Sequence, residues 1–391
     1  MTQKPDDICP RPDYLPPQPT EPAVPPLYAA SVYRCTTPEQ ASQLLSGALH
    51  GYVYSRDGHP NADLLAEKCR ELHGAECAAI CGSGMSALAV TLLSQAAQGD
   101  HVVVSSQLYG RSIQLLTSEA ARLGIASTLV DTCDLGATAA AIQSNTKLIV
   151  VETITNPLLR VSDLAALAAL AKQHDVRLLV DNTFASPVIC RPLDYGADMA
   201  LESLTKIMSG HSDVLLGLLC GREACWQRVP LALSAWGLSS NPFDCWLALR
   251  GLGTLAVRYD RAASNALAAA EFLSGRQEVE TAFYPGLPAH PDHELARRKF
   301  GDRFGTVVTF TLRGGLPAAK AFIAAARQIP FCPSLGDLST TLSHPASTSH
   351  RLMPAETRRL QGIDDGTIRL SVGIESPEAV IEALVEALRK S

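Results

Sequence analysis

The stretch LLVDN at residues 178–182, followed by SLTK at residues 203–206, decides the fold of this 391-residue chain. The first is an apolar strand that ends in a carboxylate, and Lys206 lies some 25 residues after Asp181. A lysine amine can form a Schiff base with the aldehyde of pyridoxal 5'-phosphate (PLP), and neighbouring hydroxyls can bind its phosphate. A carboxylate can hold a proton on the pyridine nitrogen, so that the ring accepts electrons. Alone, SLTK is more typical of a solvated surface lysine; with LLVDN it contains the parts of a PLP site.

Apolar runs and helical patterns alternate around these stretches. Strands are predicted at 101–105, 147–152 and 176–180, and helices at 112–123 and 163–174. Further helices are predicted to begin near Asn61 and Gly84. Such alternation predicts an α/β fold, in which a mostly parallel sheet has helices on both faces. Ligands bind at the carboxyl ends of these strands, where Asp181 and the loop to Lys206 would lie.

The patterns also predict a division into three parts. The predicted parts are an extended N-terminal arm at 1–49, a large PLP-binding domain at 50–245 and a C-terminal α+β domain at 246–391. Eight prolines between Pro10 and Pro26 exclude a helix from residues 1 to about 27. A long helix from Asn241 to Leu273 is predicted to join the two domains. The C-terminal elements are predicted strands at 306–311 and 367–372 and predicted helices at 317–327 and 377–390.

The composition is that of a soluble globular protein, with 47% hydrophobic and 18% charged residues. A net charge of -6 without a basic run argues against a nucleic-acid or anionic-membrane binder. No apolar stretch reaches the roughly 18 residues of a membrane span, and the first residues have no signal-peptide core. The 11 cysteines form no CxxC pair, so we predict reduced thiols in a cytoplasmic enzyme and no metal site.

Two segments ahead of LLVDN are candidate phosphate ligands. Gly84 and Met85 lie between an apolar run and a helix, where backbone N–H groups can approach an anion; a tight turn is the alternative. Tyr54 and Arg56 are two residues apart on a segment predicted to be extended, so both can point at one phosphate. Alone, this second segment is more typical of an ordinary polar loop.

Three further residues follow predicted strands or lie on one. Tyr109 can stack on a planar cofactor, or it can be a half-buried loop tyrosine. Asn156 can hydrogen-bond the phenolic oxygen of the cofactor, or it can begin a turn. Arg369 lies between Ile368 and Leu370 on a strand and needs a partner, which is either a substrate carboxylate or a structural salt bridge.

These motifs belong to a longer ordered series. In chain order it reads YSR at 54–56, SGMSA at 83–87, LYG at 108–110, TNP at 155–157, VDNTF at 180–184, SLTK at 203–206, GHSDVLLG at 210–217, NPFD at 241–244, YPGLPAHPDHELA at 284–296, SHPAS at 343–347 and IRLSVGIE at 368–375. The series resembles the Cys/Met-metabolism (trans-sulfuration) family of PLP-dependent enzymes. That family includes cystathionine γ-synthase, cystathionine γ- and β-lyases, methionine γ-lyase and homoserine-ester sulfhydrylases, and its fold is the PLP-dependent transferase fold (fold type I).

The resemblance implies a role for each residue. Lys206 would be the Schiff-base lysine and proton shuttle, Asp181 the partner of the pyridinium, and Tyr109 the stacking residue. The phosphate would be bound by Gly84, Met85, Ser203 and Thr205, together with Tyr54 and Arg56 of a neighbouring subunit. The substrate carboxylate would be bound by Arg369, Asn156 and the backbone near Ser334. The resemblance therefore implies at least an active dimer, and a homotetramer built from two such dimers.

The implied activity is that of a PLP-dependent carbon–sulfur lyase or γ-elimination enzyme, similar to the cystathionine and methionine γ-lyases. A cystathionine γ-synthase or an O-acyl-homoserine sulfhydrylase is the first alternative, and an aminotransferase of the same fold is a more distant one. A PLP-binding protein without activity is the non-enzymatic alternative, which the set of Lys206, Asp181, Tyr109 and Arg369 argues against.

Two departures from the family pattern bear on the substrate. Ser339 stands where many cystathionine-specific members have glutamate, which argues against cystathionine as substrate. Arg111 stands where relatives often have glycine or cysteine. If Arg111 points into the site, it favours a substrate with a distal anion, such as a succinyl or phosphoryl ester; the alternative is an exposed arginine that points away.

Overall fold

The computed structural model describes residues 20–351 and 353–390, and its strands form two sheets. The first sheet contains β1 (Cys77–Cys81), β2 (His101–Ser105), β3 (Ala126–Val130), β4 (Thr146–Glu152), β5 (Arg177–Asp181), β6 (Met199–Ser203) and β7 (Gly217–Gly221). The second contains β8 (Val279–Phe283), β9 (Val307–Leu312), β10 (Thr341–Ser343) and β11 (Thr367–Ser371). In the sequence, all strands of the first sheet precede the predicted boundary between residues 245 and 246, and all strands of the second follow it. The domain division itself stays a prediction.

Helices connect most of these strands. They are α1 (Pro38–Leu45), α2 (Pro60–His73), α3 (Gly84–Gln95), α4 (Gly110–Gln114), α5 (Ala120–Arg122), α6 (Leu135–Ala141), α7 (Leu164–Gln173), α8 (Ser186–Ile189), α9 (Val229–Ala235), α10 (Pro242–Leu252), α11 (Leu255–Ser274), α12 (His293–Phe300), α13 (Gly315–Ala325), α14 (Ala355–Leu360) and α15 (Pro377–Leu388). A π-helical turn, Leu115–Glu119, joins α4 to α5. None of the helices in the described ranges combines the length and the hydropathy needed to span a bilayer.

The first sheet confirms the predicted α/β fold. Its order is β1-β7-β6-β5-β4-β2-β3. Five neighbouring strands of this sheet, β6, β5, β4, β2 and β3, are parallel. At the other edge β7 is antiparallel to β6, and β1 is antiparallel to β7. Glu152 pairs with Asp181 at the carboxyl ends of β4 and β5, and Lys206 follows the end of β6. The topology therefore brings LLVDN at 178–182 and SLTK at 203–206 to the same edge of the sheet.

Both faces of the first sheet are buried. Successive residues of β5 point to opposite sides: Leu178 and Val180 join one hydrophobic cluster, and Leu179 joins another. The first cluster continues to the second sheet through Phe310 and Leu370. Because one apolar core continues from β5 to the antiparallel second sheet, the loops that leave the second sheet are held over the carboxyl edge of the first.

One predicted element is wrong in its extent. The long helix expected from Asn241 to Leu273 is two helices, α10 and α11, with a break after Gly253. Gly251 lies so close to the carbonyl oxygen of Ser209 that a Cβ there would collide with it. The Gly251 carbonyl oxygen accepts from the guanidinium of Arg258 at 2.9 Å and from the Thr254 N–H at 3.2 Å. Because of this break, the end of α10 packs closely against the segment that follows Lys206.

The N-terminal arm is described only from residue 20, so the prediction for the residues before it lies outside the described ranges. The Asn61 side chain donates to the carbonyl oxygen of Pro26 at 2.9 Å, and Trp246 donates to that of Pro25 at 2.9 Å. The side chain of His59, rather than a residue at 61–63, caps α2 by accepting from the Ala62 N–H. This part of the arm is therefore bound to its own subunit, on α2 and α10. The prediction of an extended arm is wrong for Pro38–Leu45, which forms α1 because the Thr37 hydroxyl caps it by accepting from the Gln40 N–H at 3.1 Å.

Candidate active site

A cavity of about 510 Å³ opens at the carboxyl ends of β4, β5 and β6. It is large enough for a cofactor together with a small substrate. Ten of the predicted site residues line it: Gly84, Met85, Tyr109, Asn156, Asp181, Ser203, Thr205, Lys206, Ser334 and Arg369. The second sheet contributes the last two, Ser334 from the loop before β10 and Arg369 from β11 itself, so the site lies between the two sheets.

Lys206 lies in the tight turn after β6, where its N–H bonds the carbonyl oxygen of Ser203 at 3.1 Å. Its Nζ donates to the hydroxyl of Ser334 at 3.0 Å. Arg258 fixes the following residues by donating to the carbonyl oxygens of Ile207 and Met208 at 2.8 and 3.1 Å. Burial, with a contribution from nearby Arg369, lowers the pKa of Lys206 to about 8. The amine is thus held in one place and is a better nucleophile near neutral pH than a surface lysine.

The lowered pKa of Lys206 predicts the pH dependence of PLP attachment. Only the neutral amine attacks an aldehyde, so the attachment rate of the apoprotein should rise with pH and level off above about 8. A surface lysine would level off near pH 10.4. The measurement is the growth of visible absorbance after PLP is mixed with apoprotein at a series of pH values. A midpoint unchanged from that of free lysine would contradict the assignment, and Arg369→Gln should move the midpoint upward.

Asp181 ends β5 with its carboxylate on the cavity. The N–H and the hydroxyl of Thr183 both donate to its Oδ1, at 3.0 and 2.5 Å. Burial nevertheless raises the pKa of Asp181 to about 6, and nearby Glu202 adds to this. A buried carboxylate of this kind is stabilised by a cation on its open side. The protonated nitrogen of a pyridine ring fits that requirement.

A buried polar network lies behind Asp181. The carboxylate of Glu202 on β6 forms an ion pair with the Nε2 of His73 at 3.2 Å, and both side chains are fully buried. Burial by itself lowers the pKa of His73, but Cys220 and Glu202 together raise it to about 10. Asn182 donates to Glu202 at 2.8 Å and accepts from Thr153 at 2.7 Å. The network therefore ties α2 and β4 to the ends of β5 and β6, which carry the site.

The N-terminus of α3 forms a cradle for an anion. The Ser83 hydroxyl caps the helix by accepting from the Ser86 N–H at 3.0 Å. A Cβ at Gly84 would lie 3.0 Å from the Cβ of Ser203, and one at Gly217 would collide with the carbonyl oxygen of Ser83. These glycines let the helix end approach the SLTK turn, where hydroxyls face the cavity. Backbone N–H groups and hydroxyls are the donors that a phosphate requires, so this end of the cavity fits the phosphate of PLP.

Arg369 lies on β11 and is 4% exposed. It donates to the Asn156 side-chain oxygen and to the carbonyl oxygen of Ser334, both at 2.9 Å. Its Nε is buried and has no hydrogen-bond partner among the residues that the structure describes. Burial lowers the pKa of Arg369 to about 10, although Tyr109 and Glu152 act in the opposite direction. A cation with a spare donor in the cavity wall fits the α-carboxylate of an amino acid.

Glu152 is a site residue that the sequence analysis did not identify. It ends β4, is 4% exposed, and accepts from the N–H groups of Tyr109 and Asn156 at 2.8 and 3.1 Å. Burial, together with Asp181, raises its pKa well above the usual range of a carboxyl group. Glu152 thus holds the backbones of Tyr109 and Asn156, which both line the cavity. A carboxylate at the end of an apolar strand was the available signal, as for Asp181.

Four predicted residues do not line the cavity. Tyr54 is 43% exposed, and the guanidinium carbon of Arg56 lies 5.1 Å from the centre of its ring, at the surface. Arg111 is exposed and donates to the side chain of Gln114 at 2.6 Å, because it lies on the outer side of the first turn of α4. Ser339 is also exposed. The substrate-binding expectation for Arg111 therefore finds no support in the arrangement of this subunit.

The structure adds a second arginine that the sequence analysis did not consider. Arg351 lines the cavity on the loop that follows the short turn Pro345–Ser347. No local pattern distinguished this arginine in the sequence, since the fold of the second sheet alone brings the loop to the site. Thr183, which binds both Asp181 and the N–H of Ser203, was missed for the same reason.

Comparison with known proteins gives matches along nearly the whole chain. The family model described as Cys/Met metabolism PLP-dependent enzyme matches residues 12–389. An L-methionine gamma-lyase from Porphyromonas gingivalis is 38% identical, over 93% of this chain and 92% of its own. An O-succinylhomoserine sulfhydrylase from Pseudomonas aeruginosa is 40% identical, over 89% of this chain and 86% of its own.

A solved structure is similar in fold and carries the cofactor. It is a putative O-acetylhomoserine (thiol)-lyase from Campylobacter jejuni, with a TM-score of 0.91 and 28% identity, over 94% of this chain and 95% of that one. That protein carries N'-pyridoxyl-lysine-5'-monophosphate. A lysine joined to pyridoxyl phosphate in such a neighbour agrees with the cradle and the lysine described above.

Proposed function

Because this chain belongs to the Cys/Met metabolism family of PLP-dependent enzymes, we propose that it breaks or replaces a side-chain bond of a sulfur amino acid or a homoserine ester. One observation carries the proposal. The amine of Lys206 and the guanidinium of Arg369 both bond Ser334, the amine to its hydroxyl and the guanidinium to its carbonyl oxygen. Ser334 thus holds a base and a carboxylate-binding cation close together. That arrangement suits the removal of the proton next to an amino-acid carboxylate.

Each residue has a defined part in this reaction. PLP bound in the cavity supplies an electron sink for the negative charge that develops at the substrate α-carbon. Arg369 and Asn156 bind the α-carboxylate and so present the α-proton to the Nζ of Lys206. The amine takes that proton and can return it to another carbon. Asp181 holds a proton on the pyridine nitrogen, and Tyr109 covers the ring and excludes water.

The first candidate reaction is γ-elimination, which with water yields a 2-oxo acid, ammonia and the released side-chain group. The relative named L-methionine gamma-lyase supports it. The second candidate is γ-replacement, in which a thiol takes the place of the γ-substituent. The relative named O-succinylhomoserine sulfhydrylase supports this one. The same base and the same carboxylate site serve both reactions.

We further propose that the active unit contains two copies of the chain, and that pairs of dimers form a homotetramer. Among the described residues, the arginines that line the cavity are Arg351 and Arg369, and neither belongs to the phosphate cradle, which has helix N–H groups and hydroxyls. Tyr54 and Arg56 lie exposed on a segment outside the cavity. They are therefore free to serve the phosphate of a neighbouring subunit. A cytoplasmic location stays a prediction from the sequence.

A substrate panel tests the proposed function. The purified protein, loaded with PLP, is given cystathionine, methionine, homocysteine and O-acyl homoserines, with and without an added thiol. Ammonia and 2-oxo acid indicate elimination, and a thioether indicates replacement. Amino-group transfer to a 2-oxo acid without release of ammonia or a side-chain group would instead identify an aminotransferase, and would contradict the proposal.

A further inference from the structure

Arg351 differs from the other charged side chains of the cavity in having spare donors. The charged side chains among the described lining residues are Glu152, Asp181, Lys206, Arg351 and Arg369. Four of them bond neighbouring protein groups at 3.0 Å or less. The guanidinium of Arg351 makes only a 3.5 Å contact with the carbonyl oxygen of Thr348. No ion pair within residues 20–351 and 353–390 includes it.

The two arginines of the cavity lie at different depths. Arg369 is buried in the wall, whereas Arg351 is exposed and also lines the cavity. A side chain that faces both solvent and cavity lies at the mouth. A substrate with its α-carboxylate on Arg369 and its side chain directed outward therefore presents the far end of that side chain to Arg351.

The loop that carries Arg351 is held in place. The Thr348 hydroxyl donates to the carbonyl oxygen of His344 at 2.8 Å, and the His350 N–H donates to that of Pro345 at 2.9 Å. The loop also packs on the start of α4, since a Cβ at Gly110 would lie 2.8 Å from the carbonyl oxygen of Ser349. The loop backbone that carries Arg351 is thus held near the start of α4, while the guanidinium keeps its donors for a ligand.

The charges at the mouth restrict what Arg351 can bind. Both acidic residues of the cavity wall, Glu152 and Asp181, are engaged by protein donors. Ser339 is exposed and does not line the cavity. Among the described residues of this subunit, the mouth thus offers a cation and no unengaged carboxylate for a distal ammonium group. A side chain that ends in both an ammonium and a carboxylate is disfavoured, and a neutral thioether gains nothing from the arginine. A side chain that ends in a carboxylate alone gains a charged hydrogen bond.

We propose that Arg351 is a specificity-determining residue that binds a carboxylate at the far end of the substrate's leaving group. The preferred substrates are then homoserine esters of a dicarboxylic acid. The inference rests on the proposed function, because it assumes that Arg369 binds the α-carboxylate. It deepens that function by naming the chemical class of the group that departs.

The test compares three esters that differ at the distal end: O-succinyl-L-homoserine, O-acetyl-L-homoserine and O-phospho-L-homoserine. Each is given to the PLP-loaded wild type, Arg351→Gln and Arg351→Lys, with cysteine as the thiol. Arg359→Gln serves as the matched control, because Arg359 is an exposed arginine on α14 outside the cavity. Visible absorbance and the melting temperature check that each variant folds and holds PLP.

We expect Arg351→Gln to lower kcat/KM for the succinyl ester roughly 10- to 100-fold, mainly through KM. The acetyl ester should change by no more than about threefold, as should all three esters with Arg359→Gln. Arg351→Lys should recover part of the loss, because it keeps the charge but not the planar fork. Equal losses for the succinyl and acetyl esters, or no loss, would overturn the proposal.

The remaining outcomes separate this inference from the proposed function. A selective loss with the phospho ester would assign Arg351 to a short anionic leaving group and overturn the assignment to a distal carboxylate. A wild type that acts on the acetyl ester or on methionine but not on the succinyl ester would refute the role of Arg351 and leave the proposed function standing. A wild type that acts on no member of either panel would refute the proposed function itself.

Discussion

Replacement of Lys206 by alanine should abolish the covalent attachment of PLP and lower turnover by about 10⁴-fold or more. The loss is large because one amine has two tasks: it forms the link to the cofactor aldehyde, and it moves the proton of the substrate. The residue is held for both tasks by Ser334 and by the contacts of Arg258 with the following turn. The measurements are visible absorbance, turnover, and the mass of the protein after borohydride reduction.

A matched variant separates the role of Lys206 from a general effect of charge. Lys172 is an exposed lysine on α7, outside the cavity, so Lys172→Ala should keep the absorbance and the turnover. Reduction of wild type with borohydride should place the pyridoxyl group on Lys206 and on no other lysine. If Lys206→Ala folds, as judged by its melting temperature, and borohydride still attaches the cofactor to a different lysine, the assignment is wrong.

Replacement of Arg369 by alanine should raise KM for amino-acid substrates by roughly 10²-fold or more, with a smaller change in kcat. Arg369 is buried between Asn156 and Ser334, so its loss removes the cation that pairs with the α-carboxylate and leaves a gap in the wall. Arg369→Lys should recover only part of the affinity, since an ammonium cannot make the two parallel hydrogen bonds of a guanidinium.

The contrast between a substrate and its methyl ester shows whether Arg369 acts on the carboxylate. For wild type, the methyl ester of an amino-acid substrate should bind far less well than the free acid. For Arg369→Ala, that difference should nearly disappear. Arg313→Ala is the control, because Arg313 is exposed just after β9 on the same sheet. A lower melting temperature with an unchanged KM would mean that Arg369 only stabilises the fold.

The convergence of Asp181, Lys206 and Arg369 on one cavity could be predicted from sequence because each occupies a recognisable position in or next to a regular element. Asp181 ends an apolar strand and Lys206 follows the next one, and parallel strands end at the same edge. Arg369 was recognisable as a cation within an apolar strand. For these three residues, the sequence pattern of the strand also shows where the residue lies in the fold.

The periphery of the site could not be predicted in the same way. Arg111 and Arg351 are both arginines in polar surroundings, and only packing between the two sheets decides which of them faces the cavity. The break between α10 and α11 was also invisible, because it depends on the contact of Gly251 with Ser209. Such features depend on residues that are distant in the chain, and local preferences do not report them.

The antiparallel edge of the first sheet has a consequence for the order in which the protein is made. β1 leads into the phosphate cradle, yet its strand partner among the described residues is β7, which is synthesised about 140 residues later, on the order of ten seconds during translation. The nascent chain therefore carries an unpaired strand and an unsupported cradle until Gly217 reaches Ser83. A ribosome-released fragment that ends soon after Lys206 would contain the reactive lysine but should retain no PLP. We therefore expect cofactor capture to require the pairing of β1 with β7.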